Sequence, residues 1–235
     1  MDRLLAIGDI HGCLTSLQLL IEKVQPTSED LLVILGDVIS RGPDTKGCID
    51  LLIALEQDVP MVFLMGNHEE FMLDAHECEI ACGSWMYFGG EETLLSYAPD
   101  YQSADIQNVP DSHWELIESF QDYFETDEEI FVHGMVEPDE PLDQQDSTAF
   151  RWLKFEDVQP HISGKQVICG HTSQKSGIPA NLKHAICIDT NACRGGWLTC
   201  LDVKAEIAHQ TNEESEYRIL DMNSMTVMGD RETED

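Results

Sequence analysis

The chain has 235 residues, 42% of them apolar, with 45 Asp and Glu against 13 Lys and Arg and a formal net charge of −32. The size and apolar fraction fit one large domain, or one domain with a small insertion. The acidic excess excludes general nucleic-acid binding, which needs a basic stripe against phosphates, and disfavours anionic membrane surfaces. What remains is a strongly solvated surface, suited to surroundings where salt screens its self-repulsion. No apolar run reaches the length of a membrane span. Leu4-Leu5-Ala6-Ile7 reads as entering a strand at once, so no signal peptide is expected before it. A cytoplasmic location is the expectation, and with it reduced thiols for the eight scattered cysteines, which show no zinc-ribbon spacing.

Residues 3–8 read as a first strand. Leu14, Leu17, Leu20, Ile21 and Val24 recur at helical spacing, and Leu31 to Leu35 form an all-apolar second strand. Thr45 to Leu55 read as a second helix, Val59 to Met65 as a third strand, and the segment after Asn67 as a third helix. This alternation predicts a mainly parallel sheet with right-handed crossovers. Residues 80–110 are broken by Gly83, Gly89-Gly90, Pro99 and Pro110 and read as a small helical insertion. An amphipathic helix is expected over 111–124, with Trp114, Ile117, Phe120 and Phe124 on one face. Strands follow at Ile130-Phe131-Val132, Gln166 to Cys169 and Ala185 to Ile188, then a closing hairpin over 197–211. The catalytic domain is expected to occupy 1–211, with an acidic tail over 212–235.

The strand ends carry the chemistry. Asp9, His11, Asp37, Asn67, His68, His133 and His171 each sit just after an apolar run, beside a glycine or one residue from it. A lone Asp there is usually a helix cap, a lone Asn a turn residue and a lone His a hydrogen-bonded structural group. Five strand ends that all choose His, Asn or Asp argue against independent caps. An oxygen and nitrogen set without thiolate suits two divalent ions such as Mn, Fe, Zn or Ni. Asp37, on a middle strand, can bridge the two with its carboxylate oxygens. Such a pair can clamp an in-line displacement at phosphorus.

Gly8-Asp9-Ile10-His11-Gly12, Gly36-Asp37-x-x-x-Arg41-Gly42 and Gly66-Asn67-His68-Glu69 resemble the signature of the phosphoprotein phosphatase family of calcineurin-like metallophosphoesterases, of the bacterial serine/threonine phosphatase type. Val132-His133-Gly134 and Gly170-His171-Thr172 resemble its two later histidine blocks. The resemblance implies an α/β sandwich of two mixed sheets flanked by helices, with a dimetal site at the carboxyl ends of the strands. It implies that Asp9, His11 and Asp37 hold one ion, with Mn first among the candidates and Fe, Zn, Ni or Mg as others. Asp37, Asn67, His133 and His171 would hold the second. A metal-bridging hydroxide would be the nucleophile, and His68 the general acid. Arg41 and Asn67 would contact the phosphoryl group, and near Trp152 either Lys154 or Arg151 would add a second grip. Asp189 would support the ligands without binding metal, and Cys13 would pack.

Two departures from the family pattern stand out. The family carries Asp before the Arg of its second motif, where it orients the general-acid His; this chain has Ser40. A neutral Ser cannot support an imidazolium, so turnover of poor leaving groups should suffer more than that of aryl phosphates. Near Trp152 the family has Arg where this chain has Lys154. Gly89-Gly90-Glu91-Glu92-Thr93-Leu94-Leu95-Ser96-Tyr97 resembles a stretch of bacterial members, and either lies beside the cleft or simply begins a helix. The activity implied is hydrolysis of phosphomonoesters on phosphorylated protein, at Ser/Thr and also Tyr, or on a small phosphoester. The alternatives are a symmetrical bis(5'-nucleosyl)-tetraphosphatase and a weakly active phosphate-binding pseudo-phosphatase. No nucleic acid or membrane partner is expected.

Overall fold

The structure, a computed structural model, describes residues 2–223. In chain order it begins β1 (Leu4–Ile7), α1 (Leu14–Val24), β2 (Leu31–Ile34), α2 (Thr45–Glu56), β3 (Met61–Phe63) and α3 (Asn67–Glu77). A helical stretch follows: α4 (Glu79–Trp85), a π-type turn over Met86–Gly90, α5 (Glu91–Ser96) and, after two short turns, α6 (Asp111–Glu118). Then come β4 (Tyr123–Glu125), β5 (Glu129–Val132), α7 (Ser147–Trp152), β6 (Gln166–Cys169), β7 (Ala180–Asn181) and β8 (Ala185–Cys187). The described chain closes with β9 (Leu198–Asp202), β10 (Ile207–Thr211) and β11 (Tyr217–Asp221).

Two mixed sheets result, ordered β11-β10-β9-β1-β2-β3 and β4-β5-β6-β8-β7. Each has a parallel run, β1-β2-β3 in one and β5-β6-β8 in the other, extended by antiparallel strands. The expected mainly parallel sheet is therefore half of each sheet's story: the hairpin strands β9, β10 and β11 add to β1 in the opposite sense. Alternation along β1 explains why all four of its residues are apolar. Leu5 and Ile7 join a core with Leu17, Leu20 and Leu52 of the helices, whereas Leu4 and Ala6 join Phe131, Ile168 and Ile186 between the sheets. A third core with Ile130, Val132, Val167 and Phe150 covers the outer face of the second sheet. Truncating one of these fully buried leucines to Ala removes about 2–5 kcal/mol.

Two boundaries differ from the sequence reading. The helix expected over 111–124 stops at Glu118, because the backbone beyond it pairs with the end of β3: the Gln121 N–H donates to Phe63 O at 2.9 Å and the Met65 N–H to Gln121 O at 2.7 Å. Phe124 then sits on the edge strand β4. The tail expected from 212 carries β11, which pairs with β10 from Ile207–Asp221 to Thr211–Tyr217. The first sheet thus continues to Asp221. The rest of the expected tail, 224–235, lies outside the described residues.

Candidate metal centre

Parallel pairing brings the carboxyl ends of β1, β2 and β3 to one rim, and those of β5, β6 and β8 to the facing rim. The sequence-predicted ligands converge there. His11 Nε2 lies 3.5 Å from Asp37 Oδ2 and 3.9 Å from Asp9 Oδ2. His133 Nε2 lies 3.4 Å from Asp37 Oδ1 and 3.1 Å from Asn67 Oδ1, and His171 Nδ1 is 3.0 Å from the same Asn67 oxygen. Asp37 is central, as its place on a middle strand predicts. Two overlapping groups, His11–Asp37–His68 and Asp9–Asp37–His133, each bring one ligand atom per residue within 4.8 Å of the others.

The backbone is shaped to this end. His11, Asp37, Ser40, Arg41 and His171 all adopt left-handed φ, between 46° and 71°. Such conformations are uncommon outside Gly and cluster at functional sites. Gly66 and Gly170 are needed for a different reason: a Cβ there would lie 2.3 Å from Asp37 Oδ1 and 2.2 Å from Asp9 Oδ1 respectively. The two bare glycines leave room for the two carboxylates.

The electrostatics fit a cation. The His11 Nδ1–H donates to Ile39 O at 2.9 Å and the His133 Nδ1–H to Leu35 O at 2.8 Å, which turns each Nε2 lone pair into the site. Those lone pairs face carboxylate and carboxamide oxygens, so acceptors meet acceptors. Burial raises the pKa of Asp9, helped by the nearby Asp189 and Asp37, and raises that of Asp37, helped by Glu69. Burial lowers His11 to about 3, with Arg41 adding to the effect, and lowers His171 to about 4. It also lowers His68 and His133. Neutral imidazoles and carboxylates that resist ionisation are the condition a divalent ion relieves. One cationic group does reach in: an Arg41 guanidinium N–H donates to His11 Nε2 at 2.7 Å. This crowded set of nitrogen and oxygen donors matches two divalent ions.

Around this centre the surprises lie in the support. Ser40 does not serve His68. Its hydroxyl accepts from Trp85 Nε1 at 3.3 Å, and its N–H donates to Thr93 Oγ1 at 3.0 Å. His68 is fully buried and neither ring nitrogen has a hydrogen-bond partner. Its Nε2 points toward Asp37 Oδ2, 3.9 Å away, and its backbone N–H donates to Asp37 Oδ1 at 3.0 Å. The Gly89-to-Tyr97 stretch proves to buttress the cleft. Gly89, with φ 105°, accepts the Arg41 N–H at 3.1 Å, Gly90 packs on the Trp85 ring, and Thr93 holds Ser40.

The two candidates for a second phosphate grip differ in their surroundings. Arg151 is paired with Glu70 and Asp122, its Nε and Nη2 donating to Asp122 Oδ1 at 3.1 and 2.6 Å. Its guanidinium is engaged by carboxylates on both sides. Lys154 is exposed, and its charge acts on the His171 ring. Trp152 lies beyond Arg151, donating to Glu70 Oε2 at 2.7 Å.

Sequence reading missed the role of Glu69. It is buried and accepts four backbone N–H groups: Asp37 and Gly66 on Oε2 at 2.8 and 3.1 Å, Val38 and Ile39 on Oε1 at 2.8 and 3.3 Å. It therefore fixes the loop that carries Asp37. The signal was its position in the third motif, three residues into a helix, where a Glu reaches back to free N–H groups. Asp189 accepts from Ser173 Oγ at 2.6 Å and from Asn191 N at 2.9 Å, a buried carboxylate beside Asp9 with its own donors.

The sequence profile of the calcineurin-like phosphoesterases matches residues 2–175. Serine/threonine-protein phosphatase 1 of Salmonella typhimurium is 38% identical over 86 residues, 36% of this chain and 38% of that protein. The symmetrical bis(5'-nucleosyl)-tetraphosphatase of Cellvibrio japonicus is 41% identical over 69 residues, 29% of this chain and 25% of that protein. The aligned stretches thus span well under half the length of these curated relatives. The cold-active protein-tyrosine phosphatase of a Shewanella species superposes with a TM-score of 0.66 over 94% of this chain and 80% of that one. At 15% identity that likeness is one of fold.

Proposed function

Because this chain belongs to the calcineurin-like phosphoesterase family, we propose that it is a dinuclear metal-dependent phosphomonoester hydrolase of the phosphoprotein phosphatase type. The observation that carries this is the convergence of Asp9, His11, Asn67, His133 and His171 around Asp37. Asp9, His11 and Asp37 would hold one ion, and Asp37, Asn67, His133 and His171 the other. Two divalent ions, manganese being our first choice, supply Lewis acidity that activates water and neutralises phosphoryl oxygens. Asn67 and Arg41 orient the phosphoryl group, Arg41 through a planar fork suited to its oxygens. His68, buried beside Asp37, would be the general acid for the leaving oxygen.

The substrate reading follows from His68. Burial lowers its pKa, and Ser40 is turned away to Trp85, so the imidazole has nothing to hold its proton. Leaving groups that need little protonation are favoured. A phenol, with a pKa of about 10, is such a group; an alkyl alcohol is not. An aromatic wall suits the same reading. Phe71 meets the His68 ring edge-on, stacks on Phe88 at 5.1 Å and meets Trp152 edge-on at 5.2 Å, and Tyr87 extends the wall to solvent. We therefore place phosphotyrosine and other aryl phosphates ahead of phosphoserine and phosphothreonine among its protein substrates, with the cytoplasm as the expected place of action.

A second reading, hydrolysis of a dinucleoside polyphosphate, is supported by the similarity to the Cellvibrio enzyme. A phosphate leaving group is also acidic enough to depart without an imidazolium. Turnover of p-nitrophenyl phosphate, phosphotyrosyl and phosphoseryl peptides and diadenosine tetraphosphate, measured side by side, decides between them. The Ser40 argument adds its own expected result. Ser40→Asp should raise phosphoseryl-peptide turnover by about a hundredfold, the scale of general-acid catalysis, and raise aryl phosphate turnover far less. An equal factor on both substrates would show that His68 protonation does not limit the reaction.

A further inference from the structure

Arg194 belongs to the loop that joins β8 to β9, and that loop starts inside the site. Asp189, buried beside Asp9, accepts the Asn191 N–H at 2.9 Å, and Asn191 O then accepts the Arg194 N–H at 3.1 Å. Asn191 is left-handed, φ 68°, and the return requires Gly196, where a Cβ would lie 2.3 Å from Thr190 O. Cys193, next to Arg194, packs on the helix-side core, and its thiol lies against Arg41. The loop thus runs from Asp189 to Arg41, and Arg194 is the next residue after the one that meets Arg41.

The state of this side chain is unusual among the described arginines. Arg3 pairs with Asp30, Arg151 with Glu70 and Asp122, Arg218 lies over Trp197 and donates to Gln210 and Gly177, and Arg41 donates to His11. Arg194 is exposed and its side chain makes no hydrogen bond or ion pair with any described residue. In a chain of net charge −32, carboxylates are abundant partners, so an exposed arginine without one, on a loop anchored to the buried Asp189, is available to something else. Arg41 already serves the scissile phosphoryl group.

We propose that Arg194 is a specificity residue that binds a second anionic group of the substrate, next to the phosphoryl group that is cleaved. This rests on the phosphoesterase reading above. The second anion is a carboxylate or a phosphate, which a guanidinium binds by the same bidentate hydrogen bonds. Lysine would supply the charge without the fork.

The test is charge reversal, Arg194→Glu, beside Arg194→Lys, in the manganese-loaded full chain. Four substrates are compared: two phosphotyrosyl peptides, with Glu or with Gln flanking the phosphotyrosine, diadenosine tetraphosphate, and p-nitrophenyl phosphate, which carries no second anion. The expected result is a loss of tenfold or more in kcat/KM, relative to the loss on p-nitrophenyl phosphate, for a substrate with the second anion. The loss should lie in KM, and Arg194→Lys should recover part of it. Loss confined to the Glu-flanked peptide assigns the anion to a carboxylate; loss on the dinucleotide assigns it to a phosphate. Equal losses on all substrates, or none on any, would overturn the proposal. Failure of the unsubstituted protein to hydrolyse p-nitrophenyl phosphate would instead overturn the phosphoesterase reading on which it stands.

Discussion

Asp37→Asn is expected to reduce phosphomonoester turnover by on the order of a thousandfold, the scale seen when one electrostatic stabiliser is removed from an active site. No other described residue faces so many of the candidate ligands. Its Oδ2 lies within 3.5 Å of His11 Nε2 and its Oδ1 within 3.4 Å of His133 Nε2, so one carboxylate serves both halves of the cluster. An amide keeps the size but offers one oxygen, and turns a donor into the place of the second. Its Oδ1 also accepts the His68 N–H at 3.0 Å, which ties the start of α3 to the centre. Bound manganese, measured by elemental analysis after gel filtration, should fall from two equivalents toward none. Asp9→Asn, which touches one half, should lose one equivalent and less activity. Full metal content in Asp37→Asn would remove that residue from the bridging role.

Glu69→Gln is expected to lower folding stability by about 2–4 kcal/mol, and with it Tm by roughly 5–15 °C. Both carboxylate oxygens accept two backbone N–H groups each. A glutamine can present its oxygen to one pair only, and its NH₂ then meets the other pair donor to donor. Glu69 is fully buried, so water cannot replace the lost acceptor. The two N–H groups left without a partner set the magnitude. Urea denaturation followed by circular dichroism measures it. The same change should weaken metal binding, because the Asp37 loop is held by these bonds. A Glu69→Gln protein of unchanged stability would mean that the loop has another anchor.

The centre was legible in the sequence to an unusual degree because metal ligands on parallel strands fall at a fixed place, the carboxyl end of an apolar run. Asp9, His11, Asp37, Asn67, His133 and His171 could be collected by that rule alone. What joins them was less legible. The left-handed φ of His11, Asp37 and His171 leaves no mark in the residue type, since Gly is the usual sign of it. The Ser40 substitution announced a missing carboxylate, yet its outcome depended on Trp85, 45 residues away, whose indole takes the hydroxyl. Arg151 looked free because its partners, Glu70 and Asp122, are 81 and 29 residues distant. Helix α6 ended early because the backbone of Gln121 pairs with β3, a tertiary contact that overrides an apolar pattern continuing to Phe124. Beyond Thr211 the polar composition hid a strand, since β11 is an edge strand that leaves Ile219 half exposed and needs few apolar residues.

The most direct test of the dinuclear reading is hydrolysis of p-nitrophenyl phosphate by protein stripped with a chelator and titrated back with manganese. The predicted result is no turnover in the stripped protein and recovery that saturates at two equivalents of manganese per chain. Turnover that persists undiminished in the stripped protein, or a fully loaded protein that leaves the ester intact, would contradict the account.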